Sequence, residues 1–141
     1  MYTTDTHGLL WHLQQTSPPR SQRRTRGLSP RVRRIFFAAD QGREVILIPS
    51  IVLVEVVYLS ERGTIASALV DRLLTDLAHE PENYRVVPLD LRVVNHLRDI
   101  SPATVPEMPD RIIAATAKAT GSRLLSRDET LGKAAGVQVV W

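Results

Sequence analysis

The chain of 141 residues contains no cysteine, which excludes disulfides, thiolate metal ligands and cysteine nucleophiles and fits a reducing compartment. It also lacks any uninterrupted apolar run near the roughly 18 residues a membrane span needs. Its first residues, Met1-Tyr-Thr-Thr-Asp5, do not show the basic-then-apolar order of a secretory signal. A soluble, cytoplasmic protein with no membrane partner is expected. Lysine is scarce: sixteen of the eighteen basic residues are arginine. Acids are absent between residues 20 and 34, where Arg20, Arg23, Arg24, Arg26, Arg31, Arg33 and Arg34 contribute +7; the net charge of +3 leaves −4 for the rest. Such a cluster suits phosphate contact, and it equally suits a solvated loop in an arginine-biased proteome.

What is present reads as one domain of common size. Short aliphatic segments, Tyr2 to Thr4, Val45 to Ile48, Tyr84 to Val87, Ser122 to Leu125 and Val137 to Val140, alternate with segments of helical period. Ser29-Pro30 marks a helix start with Val32, Ile35, Phe36 and Ala39 on one face and Gly42 as its stop. Ile65 to Ala78, Asp90 to about Asp99, and Asp110 to Thr120 read as further helices, the last ending at Gly121. The alternation predicts an α/β fold, a three-layer α/β/α sandwich on a mostly parallel sheet of about five strands. Gln14 to Leu28, rich in Pro, Ser, Arg and Gly, is expected to be a flexible arginine-rich surface loop. No internal repeat is evident.

Four acids break or end apolar runs: Asp5, Glu55, Asp110 and Asp128. Glu55 is the least ordinary, because it interrupts Ile51 to Leu59, a stretch read here as a buried helix capped at Pro49-Ser50. A buried carboxylate needs a partner, whether a proton, a base or a cation. Taken singly, Asp5 and Asp110 could be helix caps and Asp128 a turn residue. On a parallel sheet all four fall at one edge, where ligands collect. Clustered carboxylates with neither Cys nor paired His at ligand spacing select a hard cation such as Mg²⁺ or Mn²⁺. Beside an arginine-rich segment, that chemistry suits metal-assisted phosphodiester cleavage. The four histidines read as surface or packing groups, with only His7 near the proposed centre.

Four segments, Thr4 to Trp11, Pro49 to Glu55, Pro109 to Ala117 and Leu125 to Asp128, resemble in order and spacing the motifs of PIN-domain ribonucleases, specifically VapC-type toxins of toxin-antitoxin pairs. The resemblance implies a PIN-like fold, an Mg²⁺- or Mn²⁺-dependent endoribonuclease, an RNA substrate, a cognate VapB-type antitoxin and a homodimer. By position it makes Asp5, Glu55, Asp110 and Asp128 the catalytic, metal-binding quartet, with Asp5 and Asp110 dominant and Glu55 and Asp128 completing coordination through water. Thr6 and Ser126 would be supporting hydroxyls. Gly8 stands where the family often has alanine, an exchange the backbone should tolerate, and the segment from Gln14 to Leu28 is longer than usual. Competing readings are a PIN nuclease in RNA maturation or DNA processing, and an inactive PIN scaffold, which would normally have lost an acid. A phosphatase or receiver domain fits poorly, because Asp5-Thr6-His7 lacks the second aspartate two positions on.

Overall fold

Strand β1, Tyr2–Thr4, is fully buried and lies at the centre of the sheet, which is why three short residues suffice to make it a strand. The computed structural model describes residues 1–16 and 27–141. The strands β2 (Ile46–Pro49), β3 (Tyr84–Val87), β4 (Arg123–Leu125) and β5 (Val139–Val140) complete five strands in the order β3-β2-β1-β4-β5. All pairings are parallel, with Tyr2 opposite both Ile46 and Arg123, Ile46 opposite Tyr84, and Leu124 opposite Val139. The α/β sandwich expected from the sequence is therefore present, and each strand segment is recovered to within a residue or two.

The six helices are α1 (Thr6–Thr16), α2 (Pro30–Asp40), α3 (Ser50–Glu61), α4 (Ser67–Ala78), α5 (Leu91–Leu97) and α6 (Met108–Thr120). Helix α2 starts as its sequence dictates: Ser29 Oγ accepts the Val32 N–H at 3.2 Å, Pro30 fills the first turn, and Gly42 follows the end at φ 68°. Its buried stripe is Val32, Phe36 and Ala39. Helix α6 buries Ile112 to Ala117 continuously, small residues letting it lie close to the sheet, and it stops at Gly121 in the left-handed region.

Several sequence expectations need correction. Helix α3 exists, but it is buried only along Val52 and Val56, while Val54 and Tyr58 are 60% and 54% exposed. Apolar composition without a clear period does not distinguish burial by this chain from an apolar outer face. Ser50 does not cap α3; it is the first helical residue, and its Oγ accepts the Leu89 N–H at 3.1 Å. Asp110 is not a cap either, because α6 begins at Met108 with Glu107 as the flanking residue. Helix α1 continues to Thr16, three residues into the expected loop, and Leu28 at the loop's other end is buried. Arg20, Arg23, Arg24 and Arg26 lie outside the described residues; Arg31, Arg33 and Arg34 sit exposed on α2.

Candidate active site

In a parallel sheet every strand delivers its following residue to the same edge, and here the chain's order reverses between β1 and β4. Asp5 follows β1 at that crevice, its N–H donating to Leu125 O of β4 at 3.2 Å. Ser126 and Asp128 follow β4. Glu55 comes from the second turn of α3 and Asp110 from the first turn of α6. The acid at α6 is stabilised by the positive end of the helix, which lies inside the first turn.

The supports are specific. Asp5 is 6% exposed, and its Oδ1 accepts the Gly8 N–H at 2.6 Å. Burial pushes its carboxyl up, opposed by hydrogen bonds from Ser126 and Gly8 and by the charge of His7, with Asp128 adding to the rise. Ser126 is itself buried, and its Oγ also accepts the Asp128 N–H at 3.0 Å, so one hydroxyl ties two of the acids to the end of β4. Thr6 donates to Glu55 Oε2 at 2.5 Å. Both hydroxyls expected to support the acids therefore touch them.

Asp110 lies within electrostatic reach of the other three acids. Its carboxyl is pushed up to about 6, first by burial and then by repulsion from Asp128, Glu55 and Asp5, with Glu107 adding a smaller share. The other three predicted acids thus all act on the fourth. Asp128 is the outlying member: it is exposed, and its Oδ1 also accepts from the Thr130 N–H and hydroxyl, both at 2.7 Å. The turn role considered for it is real and coexists with its place at the site. Among the described residues no group of three or more histidine, aspartate or glutamate side chains is arranged to hold a metal ion. The donors are nonetheless all oxygen, mutually repelling and without a basic partner in an ion pair among the described residues. That donor chemistry suits a hard divalent cation.

Gly8 is more constrained than the sequence suggests. Its backbone is ordinary helix, but a Cβ there would lie 2.9 Å from Asp5 Oδ1 and 3.0 Å from Thr4 Oγ1, so a larger residue must displace the Asp5 carboxylate. His12 is a packing group, as expected, stacked on Phe36 with ring centroids 4.4 Å apart. His7 is exposed one turn from Trp11, at 5.7 Å between centroids, and Trp11 meets Trp141 edge-on at 5.5 Å. Trp141 directly follows β5 and so stands at the same sheet edge as the acids, a position the sequence reading missed. The four-residue spacing of His7 and Trp11 was the available signal.

Residues 4–137 match the family model described as the PIN domain, and the chain belongs to that family. No curated protein matches it in sequence. Among solved structures it is similar to a chain of VapBC2 from Rickettsia felis bound to a DNA fragment from their promoter, with a TM-score of 0.69 at 14% identity over 99% of this chain and 96% of that one. DNA-bound VapBC from Salmonella typhimurium gives 0.64 at 17% over 99% and 96%. FitAcB from Neisseria gonorrhoeae gives 0.63 at 19% over 100% and 97%. At these identities the likeness is one of fold.

Proposed function

We propose that this chain is a VapC-type toxin: an endoribonuclease that depends on Mg²⁺ or Mn²⁺ and is held in check by a cognate VapB-type antitoxin in the cytoplasm. The observation that carries the reading is the elevated Asp110, a carboxyl held up to about 6 by burial and by the other three acids. Membership of the PIN family and the fold shared with chains of VapBC and FitAB assemblies support it.

In this reading Asp5, Glu55, Asp110 and Asp128 hold the cation. When bound, it would activate a water for in-line attack at phosphorus and offset charge on the leaving oxygen. The protein's own contribution is positional. The Gly8 N–H and Ser126 fix Asp5, Thr6 fixes Glu55, and the first turn of α6 presents Asp110 from the facing side. Ion-free, Asp110 relieves the crowding by taking up a proton as pH falls towards about 6; a bound cation would favour its charged form instead. The exposed apolar side chains of α3, Val54, Val57 and Tyr58, form an open depression with the half-buried Leu53 and with Glu61, and they support the expectation that this chain works against protein partners, an antitoxin and a second copy.

The test is cleavage of total cellular RNA with Mg²⁺, Mn²⁺ or EDTA by the wild type and by Asp5→Asn and Asp110→Asn. Cleavage that needs the divalent ion and falls at least about a hundredfold in each variant is expected, since a cation is worth several kcal/mol to the transition state. Equal cleavage by all three proteins would remove the acids from the mechanism, and no cleavage by the wild type would favour the inactive scaffold.

A further inference from the structure

Helix α2 displays arginines around an exposed phenylalanine. Arg31, Arg33 and Arg34 are exposed on its first two turns, and Arg43, past its end, is exposed as well. Residues three and four apart share a helix face, so Arg33 and Arg34 both adjoin Phe37, and Arg31 adjoins Arg34. Phe37 is 59% exposed, and the Arg43 guanidinium lies 6.0 Å from the centre of its ring. The two acids that follow in the chain are already engaged: Asp40 accepts from Tyr84 and faces His12, and Glu44 pairs with the N-terminal amine. Among the described residues none of the four arginines forms an ion pair.

This arrangement costs the free protein stability. Like charges one turn apart repel, and Arg31 lies in the first turn, where the helix macrodipole favours acids instead. A polyanion reverses that cost. Guanidinium forks match phosphate oxygens in pairs, and the ring of Phe37 among them gives a sugar or base an apolar contact, so a phosphodiester backbone fits this face better than an acidic peptide does. The face is distinct from the acid crevice, because none of its guanidiniums is among the charges acting on the Asp5 and Asp110 carboxyls. Four carboxylates repel a polyanion, and a separate basic surface supplies the attraction that they lack. We infer that Arg31, Arg33, Arg34 and Arg43, grouped around Phe37, form a second binding face that holds the backbone of an RNA outside the crevice. The inference rests on the ribonuclease reading and adds to it a remote binding site and the side chains that make it.

The face can be measured without cleavage. The Asp110→Asn protein is titrated over a range of salt concentrations with a labelled RNA of about sixteen nucleotides. Replacing Arg33, Arg34 and Arg43 together by Gln should weaken binding at least about tenfold and lower the slope of log affinity against log salt by about 2, at about 0.7 for each phosphate contact of a single strand. Lysine at the same three positions should restore the slope, because it keeps the charge. Thermal melting shows whether these exposed changes leave the fold intact, and should the triple variant fail to fold, Arg34→Gln alone is read for a fall of about 0.7. In the chain with Asp110 restored, the triple Gln change should raise KM for RNA cleavage and leave kcat, since a remote contact holds ground state and transition state alike. An unchanged slope, or a loss confined to kcat, overturns the face. Polyglutamate of matched charge that displaces the RNA as readily as unlabelled RNA does overturns it in favour of an acidic protein partner, and a DNA strand of the same sequence that binds more tightly through these arginines overturns it in favour of DNA. If wild type still cleaves RNA in those cases, the ribonuclease reading survives alone. If wild type neither binds nor cleaves RNA, both fall.

Discussion

Two carboxylate-centred clusters sit at opposite edges of the same sheet, and their contrast separates architecture from chemistry. At the amino edge, Asp40 at the end of α2 accepts from Tyr84 Oη at 2.5 Å and faces His12 Nε2 at 3.3 Å; Tyr84 Oη also lies 3.2 Å from His12 Nε2. The His12 ring stacks on Phe36, which is fully buried. Burial pushes the Tyr84 phenol up and His12 down, so both stay neutral around the single Asp40 carboxylate. One charge meets a donor there and the group is complete. At the carboxyl edge four acids share hydroxyls and a backbone N–H, and no counter-charge pairs with them among the described residues. Among the described residues every buried side-chain N or O has a hydrogen-bond partner, so the two clusters differ in charge balance rather than in hydrogen bonding. A balanced cluster stabilises the fold, whereas an unbalanced one is stabilised by a ligand.

The contrast breaks most visibly if the amino edge is hollowed out. Phe36→Ala removes a fully buried ring and the surface under His12, and a loss of about 3–5 kcal/mol is expected by chemical denaturation. A loss under about 1 kcal/mol would mean the cluster is not held by its core. Next in size is the response to a divalent ion. Millimolar Mg²⁺ or Mn²⁺, at about a hundred times its dissociation constant, should stabilise the wild type by about 2.7 kcal/mol and raise its melting temperature. Asp110→Asn should blunt that rise, and Asp40→Asn should leave it intact, since Asp40 lies at the other edge. An unmoved wild-type melting temperature would argue that the acids do not share a cation.

Without divalent ions the two edges should respond with opposite signs to the loss of one polar group. Asp110→Asn relieves repulsion. The rise of its carboxyl from 3.8 to about 6 corresponds at most to about 3 kcal/mol, and solvent screening of a half-exposed group reduces the expected gain to about 1 kcal/mol. Tyr84→Phe takes the donor away from Asp40 and should cost about 1 kcal/mol. Melting both variants in EDTA reads the signs directly, and the same sign for both would remove the distinction between the edges.

Much of this layout was legible in the sequence, for physical reasons that also explain the misses. The strands could be read because β-branched and aliphatic runs of four residues have few alternatives in a small sheet, and α2 because Ser29, Pro30 and Gly42 punctuate it at both ends. Asp5, Asp110 and Asp128 stood out because they follow a strand or lie at a helix start, positions that parallel topology gathers, and Glu55 because it interrupts an apolar run. Helix α3 misled because apolar residues on an outer face look the same as buried ones until the packing is known. The start of α6 was misplaced although Pro109, in its first turn, already marked the true beginning. The His12–Asp40–Tyr84 group joins three elements and spans 72 residues, with no local pattern to announce it. Trp141 escaped for the same reason, since only the position of β5 beside β4 brings it to Trp11.

The smallest expected effect is the sharpest discriminator, because acid acts on the two edges in opposite directions. His12 has its proton affinity lowered in the fold, so below 6.5 the unfolded chain binds a proton that the native state resists. The contribution of the amino edge is complete above 6.5 and declines as pH falls through that value. Asp110 is raised from 3.8 to about 6, so between those values the native state binds the extra proton, and its contribution is greatest below 3.8 and declines as pH rises towards about 6. In EDTA, lowering pH from 7 to 5 should therefore cost stability at His12 and return some at Asp110, leaving a shallow net slope in the wild type. His12→Gln should remove the loss and leave a net gain on acidification, and Asp110→Asn should remove the gain and steepen the loss. Identical slopes in the two variants would mean that neither group titrates as its surroundings dictate.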